Sequence, residues 1–144
     1  MSKRNSLLFA ALVLLLQVCS HAQNVGVGTP QIVARVNLSG QTGPIPPTTL
    51  FVPAKDGTYR ISAIMVITTA NNPAGFWTVN LGLSPDTGPA TFPLLPVNTS
   101  QLGLASAPDI PFRSDAGQPI TYSVVDSGGA QGSIYELFLV LELL

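Results

Sequence analysis

The sequence holds one cysteine, Cys19, and one histidine, His21, in 144 residues. Both stand in the opening MSKRNSLLFAALVLLLQVCSHAQ, where Lys3 and Arg4 precede an apolar run from Leu7 to Val18 and the small residues Ser20 and Ala22 follow. A basic start, a short apolar centre and a small-residue end read as a secretory signal peptide, residues 1–22, cut after Ala22. A transmembrane anchor is the weaker alternative, because a helix over Leu7 to Val18 would rise only about 18 Å against a hydrocarbon core of roughly 30 Å. Acylation of Cys19 is another, with Leu16 at a fitting offset but bulky Val18 where a small residue is expected. Once the leader is removed the chain has neither thiol nor imidazole. That excludes Cys or His nucleophile and base pairs, Ser-His-Asp triads, and thiolate or imidazole zinc sites. It also leaves no disulfide to staple a secreted domain, so the apolar core must suffice.

Charge is scarce as well: Asp, Glu, Lys and Arg make up 9% of the chain, against roughly 25% in an ordinary soluble domain. Beyond the leader the cations are Arg35, Lys55, Arg60 and Arg113, too few and too scattered for a basic patch, so nucleic acid is not an expected partner. The acids are Asp56, Asp86, Asp109, Asp115, Asp126, Glu136 and Glu142. A surface with so little charge is either covered with Ser, Thr, Asn and Gln or buried against other chains.

A third absence is helical periodicity; no segment sustains a 3.6-residue repeat, and there is no collagen-like run, heptad seam or longer internal repeat. What is present instead is punctuation by 13 glycines and 13 prolines, all beyond the leader, in stretches such as GQTGPIPP, NNPAG, SPDTGP, SAPDIP, SDAGQP and DSGGAQG. Short runs rich in Val, Ile, Thr, Phe and Tyr lie between them. This pattern predicts an all-β protein: a two-sheet, jelly-roll-like β-sandwich of about eight antiparallel strands over residues 31–144, with residues 23–30 as a flexible arm. The predicted strands are Ile32 to Leu38, Thr49 to Val52, Thr58 to Thr69, Phe76 to Leu83, Thr91 to Leu95, Gln101 to Ala105, Ile120 to Asp126 and Ser133 to Leu143. Pro93, Pro96, Pro108 and Pro111 restrict their neighbourhood to edges and loops.

Two of these strands are unusual. Thr58 to Thr69 would span about 40 Å, twice the common strand, so it must bend, bulge or cross the whole sandwich. It carries Tyr59, Ile61, Ala63, Met65 and Ile67 on one face, yet Ile64 and Val66 on the other. The last strand repeats the anomaly, with Tyr135, Leu137, Leu139, Leu141 and Leu143 on one face and Phe138 and Val140 among those on the other. A sandwich buries one face of each sheet, so the second apolar face needs another cover. Ile64, Val66, Phe138 and Val140 are therefore the candidate subunit interface. The alternative cover is a loop from the proline-rich middle of the same chain.

The segment FVPAKDGTYRIS, Phe51 to Ser62, with SDAGQPITYSV, Ser114 to Val124, and the closing aromatic and leucine strand, resembles the jelly-roll superfamily of tumour necrosis factor and the globular heads of complement's first component. Phe51, Pro53, Gly57, Tyr59, Ile61 and Ser62 carry the first part of the likeness and Gly117 with Ile120 the second, where Gln118 and Pro119 replace the usual acidic residue and its neighbour. The resemblance implies a long inner strand after the first segment, a penultimate strand after the second, and a terminal strand running through the middle of a sheet that faces the axis of a homotrimer. The residues have a reading of their own: Asp56-Gly57 signals a turn, Pro53 stops a strand, and Tyr59 supplies a large body with a hydroxyl.

Carboxylates are the remaining candidates for acid-base chemistry. The Asp residues sit beside Gly or Pro, where turn formation explains them, and Glu136 and Glu142 lie about 20 Å apart along one strand, too far to share a sugar. Calcium would need these Asp residues with Asn71, Asn72 and loop carbonyls, without a D-x-D-x-D-G spacing to support it. The glycine-rich Ser127 to Ser133 precedes no helix and reads as a hairpin loop rather than a phosphate cradle. Trp77 is a candidate platform for a sugar ring, although alternation between Phe76 and Trp77 puts one of the two in the core. Asn37-Leu38-Ser39 and Asn98-Thr99-Ser100 fit the glycosylation acceptor. The expectation is a secreted or cell-surface, non-catalytic structural or recognition module that needs no cofactor or metal and self-associates as a homotrimer, with an extracellular protein or glycan as ligand. A small carbohydrate-binding or carbohydrate-hydrolysing β-sandwich is the alternative.

Overall fold

A computed structural model describes residues 29–84 and 88–144; the expected signal peptide with Cys19 and His21, most of the expected arm, and Asp86 lie outside the described residues. Nine strands follow one another: β1 Gln31–Gln41, β2 Ile45–Phe51, β3 Gly57–Thr69, β4 Phe76–Leu83, β5 Ala90–Asn98, β6 Gly103–Ser106, β7 Ile110–Ser114, β8 Ile120–Ser127 and β9 Ile134–Leu143. They form two antiparallel sheets, one ordered β1-β9-β3 with β6 and β7 both on the free edge of β3, the other ordered β2-β8-β4-β5. Along the chain the first strand pairs with the last, the second with the eighth, the third with the sixth and seventh, and the fourth with the fifth. That is one long antiparallel ribbon rolled up on itself, and the rolling adds the β3–β9 and β4–β8 ladders. The fold is a jelly-roll sandwich.

The long strand resolves its own length problem. β3 crosses the whole sheet, paired with β9 from Tyr59 opposite Leu143 to Thr69 opposite Ile134, with one irregularity between Ile67 and Thr69. Its other edge is too long for one partner from a proline-rich segment, so two short strands divide it. β7 takes Gly57 to Ile61 and β6 takes Ile64 to Ile67, while the amide of Ala107 between them donates to the Ala63 carbonyl at 2.9 Å. β7 is the ninth strand, where the sequence suggested eight; Pro111 inside it conceals its strand character, since proline has no N–H for a ladder. The same logic explains β2, which begins at Ile45 and includes Pro46 and Pro47. Every proline inside a strand lies in β2, β5 or β7, and each of these is an edge, where a missing donor costs no ladder bond.

The core forms between the inner faces. Tyr59, Ile61, Ala63, Met65 and Ile67 of β3 and Tyr135, Leu137, Leu139 and Leu141 of β9 are buried against Trp77, Val79 and Leu81 of β4 and Ile120, Tyr122 and Val124 of β8. The two segments that carry the family resemblance meet at one end of the sandwich. There the Gly117 amide, at a positive φ of 76°, donates to the Pro53 carbonyl at 2.8 Å, and the Ala116 amide donates to Asp56 Oδ1 at 2.9 Å. Phe51 and Phe112 flank Tyr59 with ring centroids 5.9 and 6.1 Å away.

Candidate functional site

The outer face of the five-stranded sheet is set by the register of its ladders. Ile64 of β3 stands opposite Phe138 of β9, and Phe138 opposite Asn37 of β1; one pleat along, Val140 lies between Ser62 and Arg35. One pleat the other way, Val66 lies between Glu136 and Leu104 of β6. All four candidate interface residues therefore lie on one surface in adjacent rows, and Leu104 extends them. Ile64 is 36% exposed and Leu104 66%, while Val66, Phe138 and Val140 are half-buried by their neighbours. Leu104 escapes a reading by alternation because β6 is only four residues long; its register against Val66 reveals it.

The proline-rich middle does not lie over this face. Its β6 and β7 extend the sheet sideways from β3, in the plane of the ladder, and β5 joins the other sheet. The alternative cover considered from the sequence thus has no counterpart among the described residues.

A charged cluster borders the apolar rows. Arg60 Nε donates to Glu142 Oε2 at 2.8 Å, its Nη1 lies 3.8 Å from Asp109 Oδ2, and the Ser62 hydroxyl donates to Asp109 Oδ1 at 2.5 Å. The hydrogen bond to Glu142, and then its charge, raise the Arg60 pKa above its ordinary value. With Arg35 across from Val140 and Glu136 across from Val66, charge stands toward both ends of the face, around a centre at Ile64 and Phe138.

Most of the described acids are engaged in turns or ion pairs. Asp56 and Asp126 accept backbone amides of Ala116 and Ala130, the second at 2.7 Å, which is turn chemistry. Asp109 and Glu142 are engaged with Ser62 and Arg60. Asp115, with Arg113, borders a hollow of about 30 Å³, room for about one water. Among the described residues no three of His, Cys, Asp and Glu are grouped to hold a metal ion.

Trp77 requires a correction. It is 0% exposed, its ring centroid is 5.1 Å from that of Tyr135, and its Nε1 donates to Ser133 Oγ at 2.8 Å. The pleat of β4 sends Trp77 inward with Val79 and Leu81, so the aromatic turned out is Phe76, at 45% exposure. A fully buried indole offers no platform to a sugar. The glycines of the 127–133 loop serve the same interior: Ser133 Oγ donates to the Ala130 carbonyl at 2.7 Å, and Gly128, Gly129 and Gly132 all take positive φ.

No protein-family model matches the chain, and no curated protein matches it significantly. Among solved structures the chain is similar to one described as the acidic stable capsid structure of Helicobacter pylori bacteriophage KHP30, at 12% identity and a TM-score of 0.46, over 81% of this chain and 94% of that one. It is also similar to the structure of infectious bursal disease virus, Gx strain, at 15% identity and a TM-score of 0.41, over 81% of this chain but only 32% of the other. Likeness at that level says nothing of what this chain builds or binds.

Proposed function

We propose that the protein is a secreted, non-catalytic structural or recognition module that assembles with copies of itself, as a homotrimer, through the outer face of its five-stranded sheet. The observation that carries this reading is the set of adjoining apolar rows at Ile64, Val66, Phe138, Val140 and Leu104, left open by every described part of the chain. A monomer in water gains nothing from keeping such rows exposed on two central strands, whereas a second copy would remove them from water. The scarcity of charge supports the same reading. The trimer itself rests on the resemblance to the tumour necrosis factor superfamily, in which the terminal strand runs through the middle of the axis-facing sheet; β9 occupies that position here, between β1 and β3. The turn and pairing roles of the acids support a chain without catalysis. Secretion rests on the leader, and intact mass of exported protein should show cleavage after Ala22. Sedimentation of the mature wild-type chain tests the assembly. Three chains per particle is the expected result, and a monomer at high concentration overturns it.

A further inference from the structure

We propose a second site, independent of the self-association face: a cleft for an uncharged hydrocarbon ligand on the open side of the sandwich, between the edge strands β5 and β7. The two sheets part there around a cavity of about 350 Å³, with Leu81 and Leu83 of β4 behind it, Phe92 and Leu94 of β5 on one lip and Ile110 and Phe112 of β7 on the other. The volume is more than twice the ~150 Å³ of an apolar cavity that stays dry and takes up benzene, and lies within the range of small-molecule sites, roughly 300–1,000 Å³.

The chemistry of the lining selects the occupant. Among the described residues its only other members are Pro93 and Pro111, so none of these lining side chains carries a charge or a hydrogen-bonding group. An ion or a sugar would lose its water there without replacement, at a cost of several kcal/mol per unpaired polar group. A peptide strand is disfavoured for a separate reason: both lips are edge strands interrupted by proline, which removes donors that strand addition would use. An uncharged aliphatic chain or aromatic ring meets neither obstacle. Phe92, 49% exposed at the mouth, would close over such a ligand, while Leu81 is already buried in the far wall and Leu94 in the β5 lip.

The test uses the neutral probe N-phenyl-1-naphthylamine with the mature protein, read by fluorescence. One saturable site per chain is expected, emptied by competition with dodecanol if an aliphatic chain is preferred or with naphthalene if a ring is. Phe92→Asp, a change at an exposed side chain, should weaken binding at least tenfold with an unchanged circular dichroism spectrum, and Ile110→Trp, which fills the cleft, should do the same. Ile64→Asp, on the self-association face, should bind the probe as wild type does, whatever its assembly state. Probe binding that both cleft variants retain, or that Ile64→Asp abolishes, overturns the site. So does stronger binding by Ile64→Asp than by wild type, because that would mean a second copy fills the cleft.

Discussion

The two sheets of this sandwich share an interior but differ on their outer faces. In the four-stranded sheet the central strands alternate cleanly: Trp77, Val79 and Leu81 point in while Thr78, Asn80 and Gly82 point out, and across the ladder Thr121, Ser123 and Val125 stand opposite Gly82, Asn80 and Thr78. Pro93, Pro96 and Thr91 of β5 continue those rows. This outer surface is hydroxyl, amide and proline, with Val125 and Phe76 as its only large apolar groups on the central strands. In the five-stranded sheet the middle of the central strands, at Ile64, Val66, Phe138 and Val140, is apolar on both faces, with Arg35, Arg60, Glu136 and Glu142 toward the two ends of the outer one. The outer rows of the four-stranded sheet named above carry no charge. On one sheet the outer rows are neutral and polar, with Asn80 and Ser123 themselves buried among their neighbours; on the other, apolar rows stand open among the described residues.

The largest expected effect comes from placing a charge in the apolar rows. Val140→Asp would put a carboxylate into the apolar rows of every subunit, and desolvating it against a second copy would cost on the order of several kcal/mol per ion before any return from Arg35 across the ladder. Sedimentation should show folded, dissociated chains, with circular dichroism unchanged. Loss of the fold without a folded monomer would instead mean that the face is covered from within the chain.

Next in size is the interior that both sheets share. Trp77→Ala should lower stability by about 3–5 kcal/mol in denaturant unfolding, because it removes the largest fully buried side chain and leaves Ser133 Oγ without the indole donor. Glycan affinity, measured by calorimetry on Trp77→Phe, should not depend on the indole.

A smaller effect comes from the five-stranded sheet, whose Tyr59 and Tyr135 are both buried. Burial raises the Tyr135 pKa to about 12 and raises that of Tyr59 as well. The unfolded phenol titrates near ~10, so the neutral buried form contributes stability that is complete below about pH 10 and is lost as pH climbs through the folded value. Melting temperature should fall between pH 10 and 12, less steeply in Tyr135→Phe, where Tyr59 is left as the raised phenol of that sheet. An equal slope in that variant would break the attribution.

The smallest effect should come from the polar sheet. Val125→Asp adds a charge to a side chain 44% exposed, and surface changes of this kind move stability by about ±0.5 kcal/mol or less. Sedimentation should be unchanged. Dissociation by Val125→Asp as well as by Val140→Asp would erase the contrast between the faces.

Period-two alternation was enough to separate inside from outside on β3 and β9, because the pleat of a strand is a local property. β4 has the bounds expected from its sequence, Phe76 to Leu83, and the inner faces of β3 and β9 are the ones their alternation implies. The choice between Phe76 and Trp77 was harder, since alternation says that neighbours face opposite ways and not which way. Register with Val97 and Asp126, together with the hydroxyl of Ser133, turns the indole inward. β7 was concealed by Pro111 because propensity cannot see that a strand at an edge needs no donor on one side.

What the sequence by itself determined is the all-β class, the strand alternation, the confinement of its one thiol and one imidazole to residues 1–22, and the presence of two strands with apolar groups on both sides. Each of these follows from residue chemistry and from the two-residue period of an extended chain. Only the tertiary structure decided that the two strands are neighbours, that their second faces share one surface with Leu104, and that the proline-rich middle divides into β5, β6 and β7 to extend the sheets. Such pairings join residues as distant in sequence as Ile64 and Phe138, and no local propensity carries that information. It comes from the rolling of the ribbon, which buries one face of each sheet and leaves the others to water or to a partner.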